Sequence, residues 1–217
     1  MLIDDVVKAW TTYSSTYMDG IKNTLLLAFV GTLFGCLIGF LCGILQTIPY
    51  KNNDSGIKKF LIKLLRGIIR VYVEFFRGTP MVLQAVFFYY GLPYLTQGAK
   101  LWSSVWACAM LVVSINTGAY MAETVRGGIL SIDKGQTEGA KAIGMNHWQT
   151  MLYVIMPQVF KNILPQIGNN YIINVKDTSV MFVITFTEFF AAHRAVVGAT
   201  YLYFPSAVIE MIGYLTM

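Results

Sequence analysis

Four consecutive residues, Lys176, Asp177, Thr178 and Ser179, break an otherwise apolar stretch with two opposite charges and two hydroxyls. An ammonium and a carboxylate side by side could meet the carboxylate and ammonium of an amino acid. Charged groups deep in a bilayer are costly and seldom incidental. A structural reading competes: a lysine that snorkels outward and an aspartate that caps a helix break. Glu74 and Arg77 form a second set just before Pro80. They are either substrate contacts or, the preferred reading, an intrasubunit ion pair. Glu123 and Arg126, three residues apart, fit a structural pair on one helix face.

Bond-making chemistry has no visible carrier. The sequence has no GxxxxGK[ST] phosphate loop, no HExxH and no GxSxG. No catalytic residue is therefore assigned, and any power source lies on another chain. Cys36, Cys42 and Cys108 sit inside apolar runs, and His147 and His193 are far apart. That arrangement predicts neither a disulfide framework nor a metal site.

The third candidate is a surface. Asp133–Pro157 reads as a short helix over Glu138–Ile143, a turn at Gly144, and a second helix over His147–Ile155 that leads through Pro157 into an apolar segment. Gly139, Ala140 and Ala142 leave a shallow surface beside Glu138. It suits either docking by another protein or an ordinary solvated helical turn.

These residues must be positioned by membrane elements. Hydrophobic residues make up 56% of the 217 and charged residues 12%, and mean hydropathy is +0.58. Soluble domains carry about 25% charged residues, so most of this surface must face lipid or apolar protein. The net charge of +5 follows a topological rule better than nucleic-acid binding, because the basic residues cluster in one loop.

Charge-free runs predict spans at Thr24–Leu45, Gly78–Ala99 and Leu101–Ala122, with two broader ones at about 159–183 and 198–217. Twenty-two residues at ~1.5 Å each suffice for a ~30 Å hydrocarbon core. Lys176 then lies past the midplane, towards the outer side. Met1–Lys22 lacks a cleavage pattern, so the first run is expected to act as an uncleaved signal-anchor. The abrupt end at Met217 leaves the last span without a polar exit, which predicts further residues beyond it.

Between the first two spans, residues 51–77 carry seven cations, from Lys51 to Arg77, against Asp54 and Glu74. The positive-inside rule puts this loop and the 123–158 loop in the cytoplasm, the N-terminus outside and the C-terminus inside. Within residues 57–75, Lys59, Lys63, Arg66 and Arg70 share one helical face beside Phe60, Leu64, Ile68 and Val71. This predicts a basic amphipathic helix at the inner headgroup surface. Thr79-Pro80 predicts a kink. Gly31, Gly35, Gly39 and Gly43 draw a smooth stripe for close helix packing. No repeat is evident, and residues 1–217 are expected to form a single membrane domain.

The loop also carries a resemblance. Glu138-Gly139-Ala140, Gly144 and Val154-Ile155-Met156-Pro157 resemble the EAA motif of ABC importer permeases, with Gly139, Val154 and Met156 as mild departures. Glu74-Phe75-Phe76-Arg77-Gly78-Thr79-Pro80 with Gln84 resembles the ExxRGTPxxxQ signature of polar amino acid permeases in the MetI-like class. Asn174–Ser179 resembles that family's KDTS segment, and Arg126-Gly127-Gly128-Ile129 its pre-EAA pattern.

The resemblance implies an all-α, polytopic helical bundle with a five-span core, a type I ABC importer permease. It implies ATPase-coupling residues at Glu138, Gly139, Ala140, Gly144, Met145, His147 and Pro157. Expected partners are a cytoplasmic ABC ATPase dimer holding ATP and Mg2+, a second permease copy or paralogue, and an extracytoplasmic solute-binding protein or domain. Bacterial inner-membrane residence and alternating-access transport of a polar amino acid follow from the same likeness. A channel or secondary transporter without an ATPase is the rival.

Overall fold

The computed structural model describes residues 2–50, 54–98 and 104–217. Met1, Lys51, the expected end of the second span at Ala99 and the expected start of the third at Leu101 lie outside the described residues. The chain is built from helices, with no strand among the described residues. In order these are α1 (Leu2–Thr47), α2 (Gly56–Gly78), α3 (Met81–Val86), α4 (Leu92–Leu95), α5 (Val105–Leu130), α6 (Lys134–Ala142), α7 (His147–Gln149), α8 (Met156–Asp177), α9 (Phe189–Thr200) and α10 (Tyr203–Thr216). π-helical turns join α3 to α4 and α7 to α8, and a 3-10 segment, Thr178–Ile184, extends α8.

Among the described residues two helices, α1 and α5, are long and apolar enough to cross a membrane. A third candidate is the bent pair His147–Ile184 and Phe189–Thr200, which meet at 52°. The run expected as the second span forms only a short helical segment, Met81–Leu95. The expected kink at Pro80 is a full break. The proline clashes with a helical residue before it, so α2 stops at Gly78 and Pro80 sits extended (φ −61°, ψ 137°) as the N-cap of α3. The segment expected over 198–217 as one helix is likewise two. Tyr201 adopts a left-handed conformation (φ 59°) that ends α9 before α10 begins.

The chain divides into two compact units. One comprises Met1–Leu33, Thr79–Ser114 and Tyr171–Met217. Its core gathers Leu27, Ala85, Cys108, Val112, Met181 and Ile184. A second cluster places Tyr17 and Phe189 against Val196 and Ile209. The polar groups here are matched. Asn174 Nδ2 donates to Thr32 Oγ1 at 2.8 Å, and Glu188 caps α9 through the amides of Phe190 and Ala191.

The other unit comprises Phe34–Gly78 and Ile115–Asn170. Its core packs Cys36, Met121 and Val125 with Met151, Ile155, Val159 and Ile163. The glycine stripe works here as packing, as its spacing predicts. A Cβ at Gly35 would lie 2.6 Å from Thr117 Cβ, and one at Gly43 2.7 Å from Val125 Cβ. Only glycine allows α1 to approach α5 this closely. Tyr72 of α2 donates to the Ile115 carbonyl at 2.7 Å, and Asn116 donates back to Phe76 O at 3.1 Å. The amphipathic character of α2 is realised: Ile69 and Val73 are buried, while Phe60, Leu64, Ile68 and Val71 are exposed.

Candidate functional site

The loop over residues 133–157 takes the expected helix–turn–helix form. Asp133 is the N-cap of α6, its carboxylate accepting from Gly135 N at 2.7 Å, so the helix begins four residues before Glu138. Gly144 turns the chain at φ +85°, a region that costs other L-residues about 1–2 kcal/mol. Asn146 and Gln149 then form a reciprocal capping box at the start of α7. Each end of the loop is thus satisfied by its own side chains.

The surface that results is open. Glu138 and Gly139 are exposed, and no atom lies within 4 Å of where a Gly139 Cβ would stand. Ala140 is buried, and it anchors α6 to the unit. The same loop also exposes apolar side chains: Ile143 is 78% exposed and Trp148 53%. Met145 and His147 are half-buried. Burial, with the Lys141 cation second, holds the His147 imidazole below the usual histidine range.

Pro157 has a defined structural consequence. It stands second in α8 and lacks the N–H that a regular turn would need. The preceding turn, Thr150–Ile155, is π-helical, with Met156 N–H reaching back five residues to Met151 O. Thr150, Met151 and Ile155 of this turn are buried, so the loop is joined to α8 through packed residues.

The Lys176–Ser179 set falls where α-helix becomes 3-10 helix. Lys176 and Asp177 are exposed. Successive residues of a helix point about 100° apart, so the two charges diverge. Thr178 is fully buried, and its hydroxyl donates to the Val175 carbonyl at 3.0 Å. Ser179 is half-buried. The four residues are therefore not one convergent cluster: two face out and Thr178 faces in.

Glu74 and Arg77 do not form the expected ion pair. Glu74 turns to Arg70, with Oε1 3.7 Å from Nε, one helical turn away. Arg77 lies over the Tyr120 ring, 5.4 Å from its centroid. The expected Glu123–Arg126 pair does form, as a two-pronged contact at 3.0 and 3.1 Å.

Two features escape a reading of the sequence. Gln84, noted only as the last letter of a motif, is buried, and its amide donates to both the carbonyl and the hydroxyl of Thr79 at 2.9 Å. It closes the helix break that Pro80 opens. His193, Ser206 and Glu210 also meet: His193 Nδ1 lies 2.8 Å from Ser206 Oγ and 3.4 Å from Glu210 Oε2. A relay needs one imidazole nitrogen for each partner. Here a single nitrogen serves both, Ser206 is fully buried, and Tyr17 OH holds it at 2.7 Å. The cluster ties α1, α9 and α10 together.

Comparison with known proteins fits this arrangement. Residues 59–209 match the family described as binding-protein-dependent transport system inner membrane component. The chain is 36% identical over 171 residues to the glutamine transport system permease protein GlnP of Escherichia coli (strain K12), covering 79% of this chain and 72% of that protein. It is 32% identical over 197 residues to the arginine transport system permease protein ArtQ of Bacillus subtilis (strain 168), covering 91% and 83%. A crystal structure of an amino acid ABC transporter with histidines superposes at a TM-score of 0.80 and 31% identity, over 95% of this chain and 89% of that one. An inward-facing MetNI methionine ABC transporter shares the fold at a TM-score of 0.68 and 18% identity. With its family matched over most of its length and its polar side chains used in packing, capping and an open surface loop, the chain belongs to the binding-protein-dependent transport system inner membrane components and is a multi-pass permease subunit of the ABC importer type.

Proposed function

We propose that this permease moves a polar amino acid by alternating access, driven by an ABC ATPase that docks on the loop at Glu138 and Gly144. The observation that carries this reading is the loop itself: an exposed carboxylate and apolar side chains on self-capped helices, joined through a buried turn to α8. A rigid, locally satisfied surface can transmit a push, whereas a frayed one would absorb it. A channel or secondary transporter has no use for such a surface. ATP and Mg2+ belong to the partner ATPase, and this chain binds neither. A second permease copy or paralogue completes the pathway, and an extracytoplasmic binding protein delivers the solute. The basic loop marks the cytoplasmic side, with the N-terminus outside and the C-terminus inside.

The relatives named for glutamine and arginine carry solutes with different side chains and a common α-carboxylate and α-ammonium. Lys176 and Asp177 carry charges opposite to that common part, and since they diverge on α8 a solute would meet one of them at a time, Asp177 facing its ammonium. ATPase stimulation by each common amino acid, measured on the reconstituted complex, tests both ideas. Stimulation by at least one amino acid is expected, and its loss in Asp177→Asn with assembly intact assigns the solute contact. Unchanged stimulation in that variant removes Asp177 from the site.

A further inference from the structure

One cleft has been given no occupant, although Glu74, Arg77 and the Glu123–Arg126 pair stand in its wall. It encloses about 550 Å3 in the unit containing α2 and is lined by cations from two helices: Lys63, Arg66, Arg70 and Arg77 of α2, and Arg126 of α5. Glu74 and Glu123 are the only carboxylates among its lining residues, and they already face Arg70 and Arg126. Cations one turn apart on a helix repel each other, and the cluster persists only at a cost that an anion would offset.

Arg66 is among the most tightly held of these cations. Its Nη2 donates to the Ile48 carbonyl at 2.6 Å, and its guanidinium lies over the Tyr50 ring, 5.3 Å from the centroid. The side chain is thereby held in place. Its Nε is nevertheless buried without a hydrogen-bond partner among the described residues. A buried unsatisfied donor on a charged group costs more than a typical hydrogen bond returns. Arg66 is thus held at the cleft wall, and with Lys63, Arg70, Arg77 and Arg126 beside it forms a fixed cluster of positive charge that suits a phosphate group.

The same helix identifies the source of that phosphate. The exposed side chains beside the cleft include Phe60, Leu64, Ile68, Val71 and Phe75. An exposed apolar face bordering a basic cleft matches a molecule with an acyl chain and an anionic headgroup. We propose that the cleft seats a phosphate-bearing anion, supplied by the headgroup of an anionic phospholipid.

The test uses the intact complex in vesicles of phosphatidylcholine with and without phosphatidylglycerol, reading by native mass spectrometry the lipid that stays bound after detergent extraction. Wild type should retain phosphatidylglycerol in excess of its share of the bilayer. Lys63→Ala and Arg66→Ala should each lower that excess about fivefold, the fold-change of ~1 kcal/mol per basic side chain at an anionic surface. Lys63→Ala breaks no backbone contact, so its loss cannot be traced to misfolding. Lys58→Ala is the control: Lys58 sits on the same helix, pairs with Asp54 at 2.9 Å and does not line the cleft. Equal losses in the Lys58 and Lys63 variants would reduce the effect to diffuse surface charge and overturn the proposal. Displacement of the lipid by inorganic phosphate at matched concentration would sink the lipid assignment, whereas retention against phosphate supports it.

Discussion

The loop at 133–157 and the junction at 176–185 solve opposite problems with similar local devices. Both are helix interruptions with a residue in the left-handed region, Gly144 at φ +85° and Thr185 at φ 63°. In the loop the interrupted helices are short, self-capped and turned outward, so the side chains beside the break are exposed. At the junction the break is packed, with Thr178, Met181 and Ile184 buried and the charges left at the rim. An exposed break leaves its side chains open to solvent, while a packed one fixes the backbone that carries the two charges. The contrast lies in what surrounds the turn rather than in the turn.

Breaking the loop should have the largest effect. Gly144→Val places a β-branched residue in left-handed backbone, and combining it with Glu138→Ala removes the exposed carboxylate as well. ATP-driven uptake should fall at least tenfold, because ~1.4 kcal/mol of lost docking is enough for that factor. No atom lies within 4 Å of a Cβ at position 144, so the cost is confined to the backbone of the turn: the thermal midpoint should fall modestly while overall helical content is kept. Uptake at wild-type level in this double variant would remove the loop from the mechanism.

The next effect is removal of the cap. Asp133→Ala should destabilise the start of α6 by about 1 kcal/mol, read as faster amide exchange confined to residues 134–140. The same substitution should leave exchange across the 176–185 junction unchanged. Thr185→Gly sharpens the comparison from the other side. It relieves about 1–2 kcal/mol of left-handed strain but adds about 0.5–1 kcal/mol of unfolded-chain entropy. A small rise in the thermal midpoint is expected, where the corresponding change at Gly144 lowers it.

The smallest effect is on pH. The His147 imidazole titrates lower folded than unfolded, where its ordinary value is 6.5. The unfolded loop therefore binds the proton more tightly, and the loop loses stability as pH falls through 6.5 towards the lowered folded value. Exchange rates in residues 145–150 should rise below that pH, and His147→Gln should flatten the slope.

Much of the loop was readable from residue types. Gly144 as the turn, Pro157 at the entry to α8 and the small residues beside Glu138 all act through local backbone chemistry, which sequence spells out. The start of α6 was missed because Asp133 was not weighed as a cap. The glycine stripe was legible for the same reason as the turn, since glycine at every fourth position has one geometric use in a packed helix. The breaks at Pro80 and Tyr201 were less legible. The first depends on Gln84 reaching back to Thr79, and the second on a tyrosine in a conformation its type does not favour. The ion pairs divide similarly: Glu123–Arg126 forms as spacing predicts, but Glu74 had two eligible cations, and sequence spacing alone does not choose Arg70 over Arg77.

Docking of a cytoplasmic ATPase on the loop at Glu138 is the central proposal. A photo-cross-linker placed at position 138 of the assembled transporter tests this directly, with one at Tyr201, in the turn between α9 and α10, as its counterpart. Capture of the ATPase from position 138 and not from position 201 is the predicted result. Capture from 201 alone, or from neither in a complex that transports, would contradict it.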